Sequence, residues 1–132
     1  MSLIKGVHHI ALKCKGIEAY EKTLHFYRDL LGMPVVRTWG EGDESACMVD
    51  IGGGSMMEIF ANAPDELGQG TIRHFALRTD DVDACVKVCE ENGYHAFIQP
   101  KDIVIASNPP FPARIAFVTA PVGEEVEFFQ ER

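Results

Sequence analysis

The chain has 132 residues, enough for one ordinary domain or two half-size modules sharing a core, and its 46% apolar and 24% charged residues exclude a disordered or fibrous chain. Twelve lysines and arginines against 20 acidic residues give a formal net charge of −8 with no basic run, which argues against nucleic acid as a partner. No apolar run approaches the ~20 residues that cross a bilayer; four cysteines without a Cys-x-x-Cys pair, and no charged-then-apolar leader, read as a reduced, cytoplasmic protein.

The first predicted element is a strand, His8-His9-Ile10-Ala11-Leu12-Lys13, in which His9, Ala11 and Lys13 alternate with Ile10 and Leu12. A helix follows, because Ile17, Tyr20, Leu24, Tyr27 and Leu31 keep helical spacing and stop at Gly32, with Pro34 just beyond. Three strands are predicted next, at about residues 35–39, 46–51 and 55–61, separated by Gly40-Glu41-Gly42-Asp43 and Gly52-Gly53-Gly54. After a connection over residues 62–70 the same order begins again. Arg73-His74-Phe75-Ala76-Leu77-Arg78 repeats the first strand, and Val82, Cys85, Val86 and Cys89 form a helix between an Asp80/Asp81 cap and Asn92-Gly93. On that helix Cys85 and Cys89 share a face and read as small buried hydrophobes. Strands at about residues 94–99, 114–119 and 125–130 complete the second half.

The two halves match word for word. His9 and His74 lie 65 residues apart, as do Lys13 and Arg78; Met57-Glu58-Ile59-Phe60 answers Val126-Glu127-Phe128-Phe129 at an offset of 69. The expected fold is α+β, two tandem βαβββ modules of about residues 1–65 and 66–132 forming a curved mixed sheet cleft within one domain. Helices cover one face of each sheet. The other face carries His9, Glu58, His74 and Glu127.

Taken singly, a strand histidine is more often a core or surface residue than a ligand, and an inward glutamate more often pairs with a lysine or arginine. Independent accidents would not place both pairs at matching points of a duplication. Two imidazole nitrogens and two carboxylate oxygens, with room for water, suit one six-coordinate divalent metal, and the absence of thiolates argues against a closed structural zinc site. Such ligands accept Ni, Co, Zn, Mn or Fe. Arg37, Trp39 and Arg114 are candidates to line the cleft and bind an anionic small molecule, or are solvated strand residues. The segment Ala106-Ser107-Asn108-Pro109-Pro110-Phe111-Pro112-Ala113 is expected to be a stiff wall from which Phe111 reaches over the pocket, or an ordinary surface loop. His8 is expected on the helix side or at an edge, and His25 and His95 in solvent.

These words resemble the vicinal oxygen chelate superfamily, and within it glyoxalase I, or lactoylglutathione lyase. The resemblance covers nearly the whole chain: His9-Ile-Ala-Leu, Phe26-Tyr27-Arg28-Asp29-Leu30-Leu31-Gly32-Met33, Met57-Glu58-Ile59, His74-Phe-Ala-Leu and Val126-Glu127-Phe128. It implies the glyoxalase/bleomycin resistance/dioxygenase fold and a metal-dependent lyase or isomerase. The reaction so implied moves a proton beside a carbonyl through an enediolate, with Glu127 or Glu58, as a ligand that can leave the metal, taking the proton from one carbon and returning it to the next. It also implies that Asn62, four residues after Glu58, and Lys13, where the family often has arginine, meet glutathione or another thiol. A homodimer is implied as well. The other activities it brings are a methylmalonyl-CoA epimerase-like racemase on the same ligands, an iron oxygenase in which Glu58 is a bystander, and a non-catalytic antibiotic binder.

Overall fold

The computed structural model describes Ser2, residues 5–70 and residues 72–132. The chain divides into two compact units, Met1–Leu67 and Gly68–Arg132. Each carries one four-stranded mixed sheet, and the sequence of elements is βαβββ in both.

In the first unit, β1 (His9–Lys13) leads into α1 (Gly16–Leu24), and β2 (Val35–Trp39), β3 (Ala46–Gly52) and β4 (Ser55–Phe60) follow. The sheet order is β1-β4-β3-β2. The chain thus returns to lay its last strand parallel beside its first, while the other neighbours are antiparallel. Ile10 and Leu12 stand opposite Met57 and Ile59, which in turn oppose Val49 and Cys47. Met57, Ile59, Val49 and Cys47 are fully buried, so this is the helix-covered face.

The helix predicted to run unbroken to Leu31 instead changes pitch. Residues His25–Leu30 form a wider π turn, closed by Leu31 N–H donating to the Phe26 carbonyl at 3.1 Å and Met33 N–H to that of Tyr27 at 3.0 Å. An α-helix rotates about 100° per residue and turns adjacent side chains apart. The widened turn is the local departure at which Phe26 and Tyr27, neighbours in sequence, are both fully buried. The start of α1 was equally hidden. Lys15 at its N-cap gives no side-chain bond, and the Ile17 N–H donates to Asp43 Oδ1 at 2.9 Å, a cap supplied from 26 residues away. Gly40 allows that turn to fold back, since it sits at φ +75° and a Cβ there would run into the Glu44 carbonyl.

In the second unit, β5 (His74–Arg78), α2 (Val82–Glu91), β6 (Ala96–Ile105), β7 (Phe111–Thr119) and β8 (Glu125–Glu131) repeat the plan with sheet order β5-β8-β7-β6. Asp81 caps α2 as expected, its Oδ1 accepting from the Ala84 N–H at 3.0 Å. Val82, Val86 and Cys89 of α2 are buried, as are Val118, Val126 and Phe128 of the sheet. Burial pushes the Cys89 thiol up to about 12, so it behaves as the predicted small hydrophobe.

The largest departure is the β6–β7 hairpin. The expected strands 94–99 and 114–119 run on to Ile105 and start back at Phe111, taking Phe111, Pro112 and Ala113 into paired strand and leaving residues 106–110 as an exposed surface loop. Pro100 is tolerated because β6 is the edge of the sheet and two register shifts flank this stretch. Among the described residues no helix is long and apolar enough to cross a membrane. Replacing Asp43 with alanine removes the cap of α1 and is expected to lower stability by about 1 kcal/mol, measured by urea unfolding, with Asp43→Asn retaining most of it.

Candidate functional site

The register of the parallel strands places the predicted ligands. In the first unit His9 stands opposite Met56 and Ala11 opposite Glu58, so His9 and Glu58 occupy diagonal positions on one face. The small side chain of Ala11 leaves space between them, and His9 Nε2 lies 3.0 Å from Glu58 Oε1. In the second unit His74 stands opposite Glu125 and Ala76 opposite Glu127, and His74 Nε2 lies 3.3 Å from Glu127 Oε1. The imidazoles are 40% and 42% exposed and the carboxylates 19% and 12%, so each pair has a sheltered oxygen and an accessible nitrogen.

Hydrophobes shelter the carboxylates at equivalent points. Met48 stands opposite Glu58 and Phe117 opposite Glu127. The Phe117 ring meets His74 edge-on at 5.1 Å and Phe97 at 5.7 Å. Burial lifts the Glu127 carboxyl above the usual carboxylate range, opposed by the charge and hydrogen bond of His74. His8 is not turned to the helix side. It precedes β1, is exposed, and places its Nδ1 2.8 Å from that of His9.

Each pair suits a metal in both chemistry and spacing. Two donors bonded at right angles to one ion, each at about 2.1 Å, lie roughly 3 Å apart, against the observed 3.0 and 3.3 Å. Among the described residues, groups of three or more His, Cys, Asp or Glu able to hold an ion are absent. Each unit by itself therefore offers two donors.

The sequence model of the Glyoxalase/Bleomycin resistance protein/Dioxygenase superfamily matches residues 6–128. The chain belongs to this superfamily. Solved structures carry the same fold at low identity. An antibiotic binding protein, TnmS3 from Streptomyces sp. CB03234, is 21% identical over 100% of both chains with a TM-score of 0.71. A glyoxalase family protein from Enterococcus faecalis is 20% identical over 97% of this chain and 99% of its own, TM-score 0.68. A glyoxalase/bleomycin resistance protein/dioxygenase from Alicyclobacillus acidocaldarius is 17% identical over 96% and 91%, TM-score 0.66. No curated protein sequence is matched.

Within that superfamily fold the predicted substrate residues separate. Lys13 lies on the His9 face, its Nζ 5.5 Å from the centre of the Phe60 ring. Arg37 shares that face too, since it pairs with Met48, which pairs with Glu58. Asn62 sits beyond β4, bridged to Lys15 and lining a hollow with Gly16, Asp43 and Glu44 at the start of α1. Arg114 is turned away. It pairs with Gln130, whereas Glu127 pairs with Phe117, so alternation puts it on the α2 side of the sheet. Its guanidinium binds Asp83 of α2 through two bonds of 2.7 and 2.8 Å and Asp102 at 3.3 Å, an ion-pair role in place of the expected anion contact. Phe111, expected over the pocket, packs on Phe129 with ring centres 5.5 Å apart. His95 is paired with Glu90 at 3.0 Å. Alternation along β4 already puts Phe60 on the Glu58 face, as the structure bears out; the sequence reading missed Phe117 as a neighbour of the site.

The Arg114 guanidinium holds the Asp83 carboxyl below the ordinary aspartate value of 3.8. A depressed folded pKa contributes stability above that value and loses it as pH falls through the folded one. Asp83→Asn is therefore expected to lower the melting temperature at pH 7, with the difference from the parent protein closing in acid below pH 3.8, as thermal unfolding across pH will show.

Proposed function

We propose that His9, Glu58, His74 and Glu127 together hold one divalent metal, Ni, Co, Zn, Mn or Fe, and that the protein is a lyase or isomerase moving a proton beside a carbonyl, in the manner of glyoxalase I. The observation that carries this reading is the repeated pair: the same imidazole and carboxylate, in the same parallel register, with their donor atoms 3.0 and 3.3 Å apart in the two units. Membership of the superfamily supports it.

When bound, the ion supplies stabilisation of the negative charge that develops on two neighbouring substrate oxygens. The proton transfer falls to the glutamates. A carboxylate Oε1 of Glu127 or Glu58 takes the proton from one carbon and returns it to the next, which requires the same group to be a base first and an acid afterwards. His9 and His74 would give Nε2, the nitrogens that stand 3.0 and 3.3 Å from the carboxylates, to the ion. Lys13, on the same face as His9, is available to an acidic thiol such as glutathione. The first substrate to try is a 2-oxoaldehyde–thiol hemithioacetal, with methylmalonyl-CoA beside it for the racemase chemistry.

Binding without turnover is the reading from another class, favoured by the likeness to an antibiotic binding protein. Metal content and rate separate the two. Reconstituted protein is expected to hold one ion per chain by elemental analysis, to lose it in either His9→Ala or His74→Ala, and to isomerise the adduct in an EDTA-sensitive way. Glu127→Gln or Glu58→Gln is expected to cut turnover about 10²–10⁴-fold with the fold retained by circular dichroism. Absence of stoichiometric metal, or unchanged turnover in both Glu→Gln variants, sinks the enzyme reading.

A further inference from the structure

The His9 face of the first unit carries more than ligands. Reading across the sheet, Lys13, Phe60, Ala46 and Trp39 form one cross-strand row, and Ala11, Glu58, Met48 and Arg37 form the next. Ala46 is small and buried, and the rings of Phe60 and Trp39 lean together above it, with centres 6.0 Å apart at 75°. Trp39 remains 42% exposed. Sheets normally turn such rings into a core; here they face outward, with Lys13 at one end of the row and Arg37 beside the other.

The charge of Arg37 is available. Arg28, Arg73, Arg78, Arg114 and Arg132 all sit within 4.0 Å of a carboxylate. Arg37 is the sixth arginine, and among the described residues it has no such partner, in a chain with 20 acidic residues to choose from. The equivalent row of the second unit is Arg78, Phe129, Ile115 and Lys101. There an aliphatic side chain replaces Ala46, a lysine replaces Trp39, Phe111 covers Phe129, and Arg78 is taken by Glu131 at 3.9 Å. The combination of open rings and an unpaired guanidinium is therefore peculiar to the first unit.

We propose that this face binds a planar aromatic ring bearing an anionic group, with the ring stacked on Trp39 and Phe60 and the anion held by Arg37. A ring laid on an exposed indole gains offset or edge-to-face contact, and a guanidinium takes a carboxylate through two parallel hydrogen bonds. Arg37 lies two strands away from Glu58 in its row, so the anion is directed to the far side of the sheet from the site's own carboxylate. The inference rests on the reading that the His9 face meets the substrate, and adds a planar aromatic acid to what that face accepts.

Trp39 is the chain's one tryptophan, so a single indole N–H resonance in a ¹H–¹⁵N spectrum reports on this face. The full chain is titrated in EDTA with 2-naphthoate, the neutral 2-naphthalenemethanol and the non-aromatic cyclohexanecarboxylate. 2-Naphthoate is expected to shift the indole resonance saturably, with the neutral alcohol at least about tenfold weaker for want of the charge-assisted hydrogen bond, and the cyclohexane acid about tenfold weaker for want of the ring contact. Arg37→Gln, an exposed change that leaves the sheet intact, is expected to weaken naphthoate about tenfold and leave the neutral ring unaffected. No saturable shift up to about 10 mM, equal binding of the cyclohexane acid, or an indifferent Arg37→Gln variant overturns the proposal. Because metal is absent from this titration, naphthoate binding in a chain that takes no metal overturns only the enzyme reading, and metal uptake without naphthoate binding overturns only this one.

Discussion

Both units depend on one arrangement, the parallel pairing of the first strand with the last. Ala11 must face Glu58 and Ala76 must face Glu127 for a histidine two residues earlier to reach the carboxylate. A slip of one residue would turn every side chain of β1 or β5 to the other face, bringing Ile10 and Leu12 into water and the imidazole into the core. The burial of Met57, Ile59, Val126 and Phe128 on the helix side therefore fixes the position of the chemistry on the opposite side. Core packing and site geometry are two readings of one register.

Much of this was legible in the sequence because it depends on alternation and repetition. The paired words around His9 and His74 and around Glu58 and Glu127 gave the duplication, and strict period-two patterning assigned the faces. The β2 strand over residues 35–39 and the Asp81 cap also followed from local residue types. What stayed hidden depends on partners distant in the chain. No local signal says that Asp43 caps a helix beginning at Gly16. Nor does spacing reveal that Phe26 and Tyr27 are both drawn inward by a widened turn. Arg114 is the clearest case: its own strand alternates legibly, yet its face is set by the match of Arg114 to Gln130, and that match is invisible until β7 and β8 are paired.

The prolines around residue 110 show a local signal only partly overridden: Pro109 and Pro110 stay in an exposed loop, one of the two expectations, while Pro112 enters β7. Proline lacks a donor and normally ends a strand. At the edge of a sheet one side of the backbone has no neighbour to satisfy, so Pro100 sits within β6; Pro112 lies at the second residue of β7, which runs between β6 and β8. Edge position is a tertiary property that local residue types do not display.

The second copy is four residues longer between its histidine and its glutamate, and that surplus is concentrated in the β6–β7 hairpin. Hairpins on the far side of each sheet can lengthen without disturbing the strand pair that carries the ligands. Duplication thus yields two scaffolds that keep the same ligand-bearing strand pair while their hairpins differ. In the first unit the cross-strand row ends in open rings and in the second the corresponding row is filled, so two copies of one scaffold present different surfaces from the same register.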